Sequence, residues 1–102
     1  MEYCQVIISA TSKQEADKIS DNLTKKKLIA GSLIIKGPAR YWWKDEIIEK
    51  EYYNIQAFSL IRNKDKIIEE VKKLHSDDCP IVAFLEMDGN KEFLDWIKDS
   101  VE

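Results

Sequence analysis

The sequence predicts an α+β fold: one antiparallel sheet in βαββαβ order, a long hairpin between the second and third strands, and an added C-terminal helix. Three observations carry this. Short runs rich in β-branched residues alternate with segments whose apolar residues recur every three or four positions. The strand–helix–strand unit is written twice. A last amphipathic segment follows the second unit, and no linker or low-complexity tract divides the order.

Tyr3 to Ala10 is short and β-branched, as a buried strand should be. Ser12 followed by Glu15 has capping-box spacing, and Ala16, Ile19 and Leu23 then form one stripe of a helix ending near Leu28. Leu33-Ile34-Ile35 begins a second strand, which Lys36-Gly37-Pro38 is expected to interrupt with a bulge or kink. The chain resumes from Ala39 to Trp43, turns at Lys44-Asp45 and returns through Ile47 to Ile61 with strand alternation, giving the hairpin. Asn63 is placed to cap a second helix carrying Ile67, Ile68, Val71 and Leu74. Ser76 to Pro80 breaks it, Ile81 to Met87 is another strand, and Asp88-Gly89-Asn90 turns into a final helix with Phe93, Leu94, Ile97 and Val101 on one side. Right-handed crossovers put the two inner helices on the same face of the sheet, the ferredoxin-like arrangement.

The 102 residues, 44% of them hydrophobic, suit a single domain spanning 1–102. Sixteen basic and 19 acidic residues leave a net charge of −3 and alternate along the chain, so neither a nucleic acid nor an anionic membrane is an expected partner. Met1 to Cys4 runs directly into the first strand without the features of a signal peptide, and no run of ~20 apolar residues is present to cross a membrane. Cys4 and Cys79 do not make a disulfide framework, which favours a reducing compartment, the cytosol.

The strands also speak of a partner. Val6-Ile7-Ile8, Leu33-Ile34-Ile35 and Ile81 to Leu85 put apolar side chains on both faces of a sheet whose helices cover only one. The terminal helix, a rod of roughly 18 Å, is too short to shield the rest. Tyr41, Trp42, Trp43, Tyr52 and Tyr53 hold half of the aromatic residues, concentrated on the hairpin. Sheet and hairpin are therefore expected to meet other copies of the chain.

Candidates for chemistry are few. His75 and Cys79, four residues apart, could share a soft metal ion with a further ligand, and Asp77-Asp78 adds oxygen donors. Equally, His75 can close the second helix against its last carbonyls, Cys79 can pack as a small apolar residue, and the acids can be solvated turn residues. Tyr41-Trp42-Trp43 could stack a ligand, but period two puts Trp42 on the face opposite its neighbours, which suits packing between subunits better. There is one histidine, no glycine-rich phosphate loop and no nucleophile with a base at motif spacing. Ser9-Ala10-Thr11-Ser12 lacks the glycines an acylphosphatase loop would need. No enzyme is expected.

Lys27-Leu28-Ile29-Ala30, Gly37, Tyr41-Trp42-Trp43, Leu74-His75 with Pro80, and Gly89 to Ile97 occur in the order and near spacing of the CutA divalent-cation tolerance family, which the chain resembles from about Val6 to Val101. The resemblance implies a ferredoxin-like homotrimer with sheets packed inward and hairpin strands shared, similar to the PII signalling proteins. It also implies an association with tolerance to copper and other divalent metals. Family members commonly carry cysteine at the position of Gly31 and asparagine at that of Leu33, and their His-Pro-Tyr-acid-X-Pro stretch is here His75-Ser76-Asp77-Asp78-Cys79-Pro80. One fewer residue separates Gly37 from Tyr41. The metal site that the resemblance implies thus falls on His75 and Asp78, with Cys79 in place of the lost thiol. The expectation is a cytosolic, non-catalytic trimer binding copper or another divalent metal weakly, without an organic cofactor. The alternative is a PII-like module that senses a small molecule or a partner.

Overall fold

The computed structural model describes residues 2–102. Its elements are β1 (Tyr3–Ala10), α1 (Lys13–Lys25), β2 (Gly31–Trp43), β3 (Glu46–Leu60), a 3-10 turn (Ile61–Asn63), α2 (Lys64–Leu74), β4 (Val82–Glu86) and α3 (Lys91–Ser100). The four strands make one antiparallel sheet in the order β2-β3-β1-β4. This is the ferredoxin-like α+β fold, with the long hairpin and the extra helix in their expected places.

Register explains the core. Pairing of Val6 with Ala57 and Ile8 with Ile55 puts every second residue of the two central strands on one face. There Cys4, Val6, Ile8, Ile55 and Ala57 are buried under Ala16, Ile19 and Leu23 of α1 and Ile67 and Val71 of α2. The opposite face is covered at one end by α3, whose Ile97 and Phe93 pack with Leu60, Tyr3 and Phe58. Beyond α3 this face is open, leaving Leu33 57%, Ile35 51% and Leu85 45% exposed. The apolar runs in the strands thus describe a surface, not a second core.

α1 begins as expected, with the Ser12 side chain accepting from the Glu15 N–H at 3.1 Å. It ends three residues short of Leu28, because Lys27 turns left-handed (φ 58°). The Leu28 N–H then donates to the Leu23 carbonyl and the Lys27 N–H to that of Thr24, a Schellman cap built without glycine. The hairpin turn is formed by Lys44 (φ 50°) and Asp45 (φ 66°), the two left-handed residues of a type I′ turn.

Two expectations are corrected. Gly37-Pro38 does not interrupt β2, since Gly37 pairs with Tyr52 and Pro38 with Glu51 in an unbroken one-to-one register. β2 is an edge strand, and there a residue without an N–H can face outward with no loss to the ladder. Asn63 does not cap α2 with its side chain. It holds the N-cap position as the last residue of the 3-10 turn, but it is buried, its amide 3.5 Å from the Ser59 hydroxyl.

β1 stops at Ala10, opposite Tyr53. From there to the turn β2 and β3 pair only with each other, so residues 37–52 form an arm that extends the molecule to 43 Å along its long axis.

Candidate functional site

His75 and the loop that follows it lie where β1 ends, α1 begins and α2 runs out. His75 is the C-cap of α2, its N–H donating to the Val71 carbonyl. Its side chain is 1% exposed. Nε2 lies 2.6 Å from the Ser9 carbonyl, while Nδ1 lies 3.0 Å from the Asp77 N–H. A carbonyl can only accept and an amide can only donate, so the ring is held as the Nε2–H tautomer with both nitrogens committed to backbone. As arranged, the imidazole has no free nitrogen to give a metal. Nor does the ring meet the last carbonyls of α2; it ties the end of β1 to the 75–80 loop instead.

Glu15 holds the other side of this region. Thr11 donates its N–H and its hydroxyl to Oε2, each at 2.7 Å, and Ser76 donates its N–H to Oε1 at 2.5 Å. The Ser76 and Thr11 hydroxyls are 3.1 Å apart. The capping box is therefore half used. Ser12 caps, but Glu15 has turned from the Ser12 N–H to pin the loop. Burial pushes the Glu15 carboxyl up, but the bonds from Thr11 and Ser76 outweigh it and lower the group from 4.5 to about 2.

A folded-state value below the unfolded one stabilises the fold above pH 4.5, and that contribution disappears as pH falls from 4.5 to about 2. In Glu15→Gln this share of acid sensitivity should vanish. Urea midpoints compared above and within that window should fall less in the variant than in the parent, and parallel falls would disprove the assignment.

Asp77 faces the hairpin. Its Oδ2 accepts from the Tyr52 hydroxyl at 2.8 Å, and the Tyr41 hydroxyl lies 3.1 Å from that of Tyr52. Burial, then hydrogen bonding to Tyr41 and Asp77 and the charge of the carboxylate, push the Tyr52 phenol above its ordinary range, so it remains a donor. The Tyr41 and Tyr52 rings meet edge to face, 5.8 Å apart.

Asp78 and Cys79 are exposed on the loop. Cys4 is buried in the core, where burial raises its thiol pKa, and both cysteines are free. Among the described residues no three His, Cys, Asp or Glu side chains gather as a metal site would require. One chain alone therefore does not fit a complete site. Of the five aromatic residues placed at an interface, Trp42 is 71% exposed and Trp43 40%, while Tyr53 packs against the main core. Glu15, Thr11 and Ser76 were missed as site residues. The capping motif pointed to Glu15, but nothing local pointed to Ser76.

Fold and site together define a small ferredoxin-like domain with a hairpin arm and an open apolar sheet face. The family model described as the CutA1 divalent ion tolerance protein matches residues 4–100, and the chain belongs to this family. The divalent-cation tolerance protein CutA of Archaeoglobus fulgidus is 32% identical over 98 residues, covering 95% of this chain and 96% of that one. Its counterpart in Thermotoga maritima is 32% identical over 93 residues, covering 88% and 90%. The structure of the periplasmic divalent cation tolerance protein CutA from Archaeoglobus fulgidus superposes with a TM-score of 0.95 at 31% identity, over 98% of this chain and 99% of that one.

Proposed function

We propose that this chain is a non-catalytic homotrimer that supports tolerance to divalent metal, copper foremost, by binding the ion weakly at sites completed between subunits. The observation that carries the assembly is the open sheet face, where Leu33, Ile35, Ile81 and Leu85 remain exposed opposite the helices. Apolar side chains gathered on one face of a sheet are the mark of a surface that another protein covers. The family name supports the metal. The donors the chain exposes are the Cys79 thiol and the Asp78 carboxylate, soft and hard in one loop. Two ligands hold an ion weakly, and the remainder of the coordination falls to another subunit. His75 contributes by holding the loop. The two unpaired thiols support a reducing compartment such as the cytosol.

Light scattering should give three times the chain mass of 11.9 kDa, and a mass of 11.9 kDa would remove the assembly. Calorimetry with Cu(I), Cu(II) and Zn(II) on the parent and on Cys79→Ser should show the copper heat largely lost in the variant. Equal heats would remove Cys79 from the site.

A further inference from the structure

The hairpin arm is a two-stranded ribbon, and such ribbons are marginal in water and twist more freely than strands inside a sheet. Its ion pair Arg40–Glu49 runs between its own two strands, and Lys36–Glu51 at its base joins β2 to β3 with both side chains more than half exposed, so neither ties it to a helix or to the 75–80 loop. Among the described residues, the bond from the Tyr52 hydroxyl to Asp77 is the side-chain hydrogen bond that leaves residues 37–52 for another element. Tyr52 has one hydroxyl proton and gives it to the carboxylate, so Tyr41 is the donor in the bond between the two phenols. The chain therefore runs from Tyr41 through Tyr52 to Asp77, each link oriented by the next.

The far end of that chain is anchored. The Asp77 N–H is taken by His75, His75 is tied to the Ser9 carbonyl, and the preceding Ser76 is tied to Glu15. A charge-assisted bond from a projecting arm to a pinned carboxylate is what a latch requires.

We propose that Tyr41, Tyr52 and Asp77 form a latch that fixes the tilt of the hairpin arm against the 75–80 loop and so presents the arm for docking on a second copy of the chain. The docking half of this rests on the assembly reading above, and the latch itself does not. Tyr52 and Asp77 are then positioning residues, with the bistable element being the arm, held or free.

Hydrogen exchange on the full chain tests it. In Tyr52→Phe and in Asp77→Ala the arm amides should exchange about tenfold faster, the loss expected for one hydrogen bond to a charged group. Amides of β1 and of the β3 segment paired with it should be unchanged. The double variant should exchange no faster than either single one, since both changes break the same bond. The same comparison is made in the background of the sheet-face variant Leu33→Lys/Ile35→Lys, which retains the latch residues, so that protection by a neighbouring subunit is separated from protection by the latch. Arm exchange that does not change in that background, rises equally in β1, or adds in the double variant would overturn the latch. A parent protein that proves monomeric by light scattering would remove the docking partner and leave this comparison intact.

Discussion

Replacing His75 with alanine is expected to lower the stability of the fold by about 2–4 kcal/mol, seen as a fall in urea midpoint at unchanged slope. The ring is 1% exposed, so its removal leaves a cavity. It also strips partners from the Ser9 carbonyl and the Asp77 N–H, two backbone groups that the ring bridges from opposite sides. An unsatisfied, partly buried backbone group costs more than the bond it lost had contributed, which puts the loss above that of a truncated surface side chain. The fall should be the same with and without added copper. A midpoint that does not move, joined to a lost copper heat, would return His75 to the role of ligand.

The double substitution Leu33→Lys/Ile35→Lys should leave the chain folded and reduce the mass by light scattering from three chains to one. In the isolated chain both side chains are more than half exposed and make little contribution to the core, so the cost to folding should lie within about 0.5 kcal/mol at each position. Across a packed sheet face the same two changes set uncompensated ammonium groups against apolar surface, repeated in every subunit, and a buried unpaired charge is among the most destabilising changes an interface can receive. Ile34 supplies the control. It pairs with Ile55 and points to the other side of the sheet, so Ile34→Lys should leave the mass unchanged. A double variant with the mass of the parent would mean that this face is not where the copies meet.

Much of the fold was legible because its signals are local. Ala16, Ile19 and Leu23 show a helix by spacing alone, and the turn at Lys44-Asp45 is bracketed by two runs with strand character. The apolar residues on both faces of the strands also foretold the apolar face that α3 covers only at one end. Pro38 was misread because its tolerance depends on β2 lying at the edge, a property of the sheet and not of the peptide. Asn63 does stand at the N-cap of α2, but its side chain is turned toward a serine four positions earlier, at the end of a 3-10 turn.

The site was less legible than the fold for the same reason carried further. Whether a histidine binds metal or backbone is decided by what faces its nitrogens, and Ser9 lies 66 positions away. Glu15 was visible as a capping residue, yet its second partner, Ser76, is 61 positions distant. Tyr52 and Asp77 are separated by 25 residues and by a helix, so no spacing rule joins them. Residue types named the participants, and topology assigned their parts.

The central place of β1 governs the order in which the molecule can be assembled. The first strand of the domain lies between β3 and β4, and its partners run to residue 60 on one side and to residue 86 on the other. A nascent chain therefore carries Val6 and Ile8 without a partner strand while most of the domain is still to be made. β2 and β3, by contrast, close across a two-residue turn and can pair as soon as both are available. The hairpin is the local event and insertion of β1 the long-range one. β1 can be built into the sheet only once β3 has returned to it, and until then the apolar face that α1 and α2 will cover stays exposed.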